Sequence, residues 1–548
     1  SSHDLQFILP VLVILILTLL ILLFKNIKIV FITLTMTLLT ILTTFGFEGL
    51  LALKFNNLTS AIIAAIFAVG LADAIHLLIK YNNTLNKGAS QKEALYHSMN
   101  VNFIPTVLTT LTTAVGFLGL SLSDVVPVRD LGTLSAIGVV LAWIYTYFLI
   151  MPSILLVKPK PSSSESANII TQNLTLAYIM LLQKTAKYVV ALFFIFTIVF
   201  FTLGLKLEIN SDPIAFFDSK VPVRQDFAFF KEKFKTELVA QLIIDSNKKE
   251  GIKDPIWLKK VDQFVEWIKQ KDYVVEVITI NHTIKKMNKT LHNDSAEFYR
   301  IPDTRRAVSD ILFLYTIGLP PGMDIKNLMT VDNKSIKASI LWTLTSTKDR
   351  IIAMDEILSK AEEMNITVTQ GGAQTIYNHI NHQIVGVFFR SMSMAFLFVG
   401  FILFFVFRNV KMSVIAILPN IVPLILGAGL MQILNIEINI GTAIVCSVCL
   451  GIAVDDTIHF ITNFQRERTK KHSVKQALFL TLNDTGKALS YTTILLVMGF
   501  ATFAFGDFIP NRYFGILCSA ILSMALITDV VLLPSILILT DKHKRPTG

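Results

Sequence analysis

Asp455 and Asp456 stand side by side in Gly451-Ile-Ala-Val-Asp455-Asp456-Thr-Ile-His459, inside an apolar run, and their chemistry is proton uptake and release. The run lies about 25 Å along a helix from Asn439, so the acids fall in the inner half of a bilayer. Asp is too short to reach the membrane surface. An ionised carboxylate at that depth costs about 2.5–3.5 kcal/mol on insertion scales, and an adjacent carboxylate adds repulsion. The pair is therefore expected to hold a proton much of the time, and to be able to take it from one side and release it to the other. His459 lies three and four residues beyond the two acids, close enough on one helix face to exchange that proton or to orient a carboxyl. Asp73 and His76 repeat the three-residue spacing, with Ala72 in the place of Asp455 and Ala68 in the place of Gly451. The second constellation is expected to be the main proton site. The alternative role for all these groups is structural, hydrogen bonding to Thr, Ser or backbone to hold helices together. Asp529, five residues before Pro534 in the last apolar run, is a third acid at membrane depth, a relay partner or a packing group.

These residues sit on two segments that copy each other 383 positions apart (456 − 73), without a gap from Phe24/Phe407 to Gly132/Gly515. Asn26/Asn409, Asn56/Asn439, Ser90/Ser473, Gly116/Gly499, Pro127/Pro510 and Arg129/Arg512 all coincide. A repeat of this size in a hydrophobic chain is a transporter signature, with the site near the midplane between the copies. Asp124/Arg129 and Asp507/Arg512 bracket a Pro at the outer mouth of each copy, where a structural salt bridge is expected. Gly116 and Gly499 are read as close-packing points between helices.

At 53% hydrophobic residues and a mean hydropathy of +0.61, the chain is too apolar for an ordinary soluble protein. About eleven spans are expected. The net charge of +10 resides in short loops such as Lys25 and Lys28, Lys158 and Lys160, Arg408 and Lys411, and Arg466 to Lys471. The positive-inside rule makes those loops cytosolic and excludes nucleic acid as the reason for the charge. The three cysteines lie in apolar runs and exclude a disulfide framework, and Cys446-x-x-Cys449 reads as two small residues one turn apart. The outer segment shows no Ser/His/Asp cluster and no metal-ligand spacing, so neither enzyme activity, a cofactor nor a metal is expected.

The expected fold class is an α-helical polytopic membrane protein with a parallel two-fold repeat, about eleven of twelve helices, and an α+β ferredoxin-like extracytoplasmic domain. The boundaries are 1–157 for the first membrane half, 158–187 for a cytosolic linker, 188–205 for a further helix, 206–383 for the outer domain, 384–540 for the second half and 541–548 for a cytosolic tail. In the outer domain two βαβ units in tandem are expected around a helical insertion at about 283–318. Ser90 with Glu93 and Ser473 with Gln476 form capping-box pairs, each opening what reads as a short interfacial helix. Residue 1 corresponds to residue 384, so an upstream helix and a first outer domain are expected ahead of the sequence given.

With Gly451-x-x-x-Asp455-Asp456, Thr492-Thr493 to Gly499-Phe500, Pro510-x-x-x-x-Gly515 and Leu532-Leu533-Pro534 in place, both membrane halves resemble the resistance-nodulation-division superfamily. Within it the chain is similar to the MMPL-type and hopanoid-transporter-like exporters of lipids and hydrophobes. The resemblance implies a carrier in the cytoplasmic membrane, driven by the proton-motive force, with Asp455 and Asp456 as relay and Asp73 as their counterpart. Its partners would be protons and a lipid or other hydrophobic molecule, with a homodimer allowed. The rival readings are a sterol-sensing-type lipid-binding regulator and a protein-export accessory of the same superfamily.

Overall fold

A computed structural model describes residues 2–53, 56, 58, 60–157, 165–209, 214–236, 239–320 and 325–540. Two compact units result, Ser1–Glu208 with Gln383–Gly548, and Ile209–His382. Ten helices among the described residues are long and apolar enough to cross a membrane, and a shorter apolar stretch, Ile8–Phe24, precedes them.

The first unit begins with α1 (Ser2–Phe24), α2 (Ile27–Leu50), α3 (Ser60–Leu85), α4 (Gln91–Leu118) and α5 (Val126–Tyr145). A π-helical turn, Thr146–Ile150, follows α5, and then comes α6 (Glu165–Gly204). Nothing in α6 breaks a helix before Gly204, so one helix covers both the helical part expected in the 158–187 linker and the span expected from 188. Lys158, Lys160 and the tail at 541–548 lie outside the described residues.

The second unit contains α7 (Pro222–Phe234), β1 (Val239–Asp245), α8 (Pro255–Lys269), β2 (Val274–Ile278), α9 (Ile280–Leu291), α10 (Arg305–Gly318), β3 (Ser335–Trp342), α11 (Thr347–Glu363) and β4 (Thr367–Gly371). The strands form one sheet in the order β2-β3-β1-β4, every neighbour antiparallel. Alternation explains the sheet's buried face. Ala240, Leu242 and Ile244 of β1 and Ile336, Ala338, Ile340 and Trp342 of β3 are buried at every second position, against Phe264 and Ile357 of the helices. Lys285 of α9 reaches Asp262 at 2.9 Å and Glu266 at 3.2 Å on α8. Burial alone would lower its pKa, but the two carboxylates outweigh burial and hold the ammonium above the ordinary lysine range.

The chain continues with α12 (Gly372–Phe407), α13 (Val410–Ile433), α14 (Ile440–Thr469), α15 (Val474–Ala501) and α16 (Ile509–Ile527), a second π-helical turn at Thr528–Leu532, and a last helix, Leu533–Thr540. The bounds of α2 and α13 differ by 383 at both ends, as do those of α4 and α15. Their caps are chemically alike. Asn26 accepts from Lys28 N and Asn409 from Met412 N, while Ser90/Glu93 and Ser473/Gln476 both form capping boxes. Those boxes open α4 and α15 themselves, with no separate interfacial helix before the span. Left-handed backbone recurs at the same offset, at Lys25 and Arg408 and at Ala52 and Asn435. Of all these helices α14 is the central one, buried along the whole of its apolar stretch, whereas α6 is buried along almost none of it.

Candidate functional site

Helix α14 carries Asp455, Asp456 and His459 into the centre of the bundle, facing Asp73 and His76 from α3, and all five side chains are buried. Each carboxyl of the repeated pair is held by a threonine of the next helix. Thr493 Oγ1 donates to Asp456 Oδ2 at 2.8 Å, and Thr110 Oγ1 donates to Asp73 Oδ2 at 3.3 Å. Thr493 is Thr110 shifted by 383, so one bond is made twice. Thr492 adds a weaker contact to Asp456 Oδ1 at 3.4 Å. Asp455, which has no counterpart in the first copy, lies within electrostatic reach of Asp73, Asp456 and Asp529.

The His76 and His459 rings stack on one another, centroids 4.0 Å apart and planes 3° from parallel. Like charges that close repel by several kcal/mol in a protein interior, which disfavours both rings being imidazolium cations at once. His459 Nε2 lies 3.4 Å from Asp455 Oδ1, yet the two lack hydrogen-bond geometry, and both atoms, with His76 Nε2, are buried without a hydrogen-bond partner. Three groups that can bind a proton thus meet at one point with lone pairs unspent.

Asp529 sits in the π-helical turn at Thr528–Leu532, where the extra residue of the wider turn rotates the chain. Thr528 Oγ1 ties the turn to Pro419 O at 2.8 Å. Asn420 Nδ2 donates to Thr457 Oγ1 at 3.0 Å, and Thr457 donates to Asp529 Oδ1 at 2.6 Å. Asp529 thereby joins the α14 cluster. Its second oxygen is buried without a partner.

Close approach between α4 and α14 brings the copies together. A Cβ on Gly116 would lie 2.9 Å from Gly451 Cα, which excludes a side chain at either position without movement. The gap is closed by Thr113 Oγ1 donating to Gly451 O at 2.8 Å and Ser447 Oγ donating to Gly116 O at 3.1 Å. Gly451, expected only as part of a motif, is thus the contact point of the two halves.

A narrow recess reaches the histidines from the ends of α3 and α14, lined by His76, His459, Asn102, Asn463, Thr485 and the Lys80/Asp484 pair. Lys80 Nζ contacts both Asp484 oxygens, at 2.6 and 2.8 Å, and Arg466 stands 3.5 Å from the same carboxylate. Sequence reading missed this pair, although a signal was present. Asp73, His76 and Lys80 follow i, i+3, i+7 spacing, as do Asp456, His459 and Asn463, which puts each trio on one helix face.

The salt bridge expected between Asp124 and Arg129 does not form. Asp124 pairs with Arg390 at 3.6 Å, and Arg129 leans on Asp130 at 4.0 Å, because the 3-10 turn at Gly119–Leu122 and the helix start at Val126 separate the two side chains. In the other copy Arg512 Nε donates to Gly506 O at 2.9 Å, tying down the turn that holds Asp507. Cys446 and Cys449 are free thiols on α14.

The fold and the site together define a multi-pass membrane protein with ionisable groups shared between two helical bundles. The chain belongs to the MMPL family, whose model matches residues 1–167 and 266–547. Among curated proteins it is similar to membrane protein MJ1562 of Methanocaldococcus jannaschii, 23% identical over 318 residues that cover 55% of this chain and 75% of the other. It is also similar to the protein-export membrane protein SecF of the same organism, 27% identical over 145 residues, 26% of this chain and 49% of SecF. The fold matches that of the hedgehog release protein Disp from the water bear Hypsibius dujardini, with a TM-score of 0.70 at 10% identity, over 98% of this chain and 70% of that one.

Proposed function

We infer that this protein is an exporter of lipids or other amphiphiles from the cytoplasmic membrane, driven by protons that bind at Asp455, Asp456 and Asp73. The observation that carries this reading is the pair of equivalent buried carboxyls, each on a threonine hydroxyl of the neighbouring helix, with Asp455, His76 and His459 between them. A hydroxyl that donates to a carboxylate can turn to accept from a carboxylic acid, so the bond survives either protonation state. Protonation changes the charge at the contact of the two bundles, where rocking would have to originate. Each proton crossing the full field supplies about 2.3 kcal/mol per 100 mV.

A recess lined by Leu207, Met431, Val445, Leu517 and Ile521 among others supports an apolar cargo through the apolar character of its walls. The sheet order β2-β3-β1-β4 supports a split ferredoxin-like fold for the Ile209–His382 unit. The matched helix bounds and caps support a parallel repeat. The cationic loops support a position of that unit outside the cytosol. We assign no covalent chemistry to the protein.

Similarity to SecF favours a second reading, assistance in protein export using the same proton site. Reconstituted vesicles with an imposed proton gradient test the first. Asp456→Asn protein should move fluorescent lipid no faster than protein-free vesicles, and undiminished transport would remove the relay. Proton-dependent stimulation of a secretion channel without lipid movement would favour the second.

A further inference from the structure

The convergence of His76, His459 and Asp455 is unusual in a way that proton transfer does not require. One ligand-type atom from each lies within 4.8 Å of the other two, and all three residues are buried. His76 Nε2, His459 Nε2 and Asp455 Oδ1 are without hydrogen-bond partners, although a buried polar atom is ordinarily paired. Two imidazoles and a carboxylate are the donor set of a borderline divalent d-block cation such as Zn²⁺ or Co²⁺. We propose that His76, His459 and Asp455 form a binding site for such a cation, which bridges helices α3 and α14.

Charge supports it. A dication coordinated by one carboxylate keeps a unit of positive charge, and Asp73, Asp456 and Asp529 act electrostatically on the same spot. Geometry asks for a modest change. Parallel rings cannot both aim in-plane lone pairs at one ion, so the rings must splay about their side-chain torsions as metal–nitrogen distances shorten to about 2.0–2.1 Å. The recess that reaches both histidines supplies an access route, and water from it would complete a tetrahedral shell. Asn102, Asn463 and Thr485 line that route with neutral oxygen and nitrogen atoms, suited to passing a hydrated ion but too hard and too dispersed to hold it. Sequence spacing could not show the site, because His76 and His459 stand 383 residues apart (459 − 76).

Binding is independent of the proton-coupled reading, whereas its consequence rests on it. A metal held by three of the relay groups would block their protonation and pin two helices that belong to different copies. Export should then be inhibited by the metal and restored by a chelator.

The test uses the full chain, purified in detergent and stripped with chelator, titrated with Co²⁺ and Zn²⁺. One tetrahedral Co²⁺ per chain, displaced by Zn²⁺, is expected, with His76→Gln and His459→Gln each weakening binding by at least about tenfold. The chain has ten histidines in all, so binding unchanged in both variants would assign the metal elsewhere and overturn the proposal. Absence of stoichiometric binding would do the same. Hydrogen exchange on the unmutated protein covers the case of variants that fail to fold. Zn²⁺ should slow exchange around residues 76 and 459 together, and slowing at neither or at only one would refute a bridge. Asp456→Asn separates the two claims, because it should keep Co²⁺ binding while losing proton-driven transport. A variant that transports normally yet binds Co²⁺ would sink the relay and leave the metal site standing.

Discussion

In the second membrane half Asp456 has an acidic neighbour, Asp455, a glycine one turn before that pair and, next in the chain, Thr457, which accepts from Asn420 and donates to Asp529. In the first half the corresponding positions hold Asp73, Ala72, Ala68, Ala74 and Thr37. The π-helical turns Thr146–Ile150 and Thr528–Leu532 set Tyr147 where the other half has Asp529. Tyr147 pairs with Thr106 at 2.9 Å, and Trp143 Nε1 donates to the same threonine at 3.2 Å. The backbone was kept and the chemistry was not. Caps, left-handed corners and π turns recur in both halves, while one half gathers Asp455, Asp456 and Asp529 near its central helix and the other has Asp73 and, at the matching π turn, a neutral aromatic cluster.

If that asymmetry governs function, the largest effect belongs to the acids. Asp456→Asn should reduce gradient-driven transport to background and Asp73→Asn should leave a measurable fraction, both read as initial rates in vesicles. Equal loss in the two would mean that the halves act as one symmetric site. Next comes the contact between them. Gly451→Val forces a side chain against Gly116 and should cost about 1–3 kcal/mol, seen as a lower midpoint of thermal unfolding in micelles. An unchanged midpoint would show that the bundles separate more easily than the 3.3 Å approach of a Cβ on Gly451 to Gly116 Cα allows.

A smaller contrast tests the hydrogen-bond lines. Thr457→Val strands the buried Asp529 carboxyl and should cost about 2–3 kcal/mol, whereas Thr106→Val leaves two neutral groups, the Tyr147 hydroxyl and the Trp143 indole N–H, without their shared partner and should cost about 1–2 kcal/mol. Similar losses would deny the second half its special network. Smallest of all are the caps. Ser90→Ala and Ser473→Ala should each cost about 1 kcal/mol and by the same amount, since the same box opens both helices. Unequal costs would point to asymmetry in the scaffold as well as in the chemistry.

Much of this was legible before the structure. Periodicity and turn residues predict outer-domain strands at 238–245, 274–280, 335–343 and 366–370, each within a residue or two of β1 to β4, because alternation such as that at β1 and β3 is a local property. Residue 188 marks an expected membrane boundary and not a helix end, and the helix Glu165–Gly204, which lacks Pro and internal Gly, runs through it. The pairing of Asp124 with Arg129 failed: proximity in sequence did not bring the side chains together across a turn, and Arg390, far along the chain, was nearer in space.

From the chain alone came the membrane class, the 383-residue offset and the identity of Asp73, Asp455, Asp456 and His459 as the costly groups, because hydropathy, repetition and the energy of a buried charge depend on residue type and order. Only the packed bundle decided that His76 stacks on His459, that Thr110 and Thr493 hold equivalent carboxyls, that Gly116 meets Gly451 and that a π turn carries Asp529 to Thr457. Each of those contacts, apart from the turn itself, joins different helices, and helix-to-helix placement is set by the fit of whole surfaces, which no local spacing encodes.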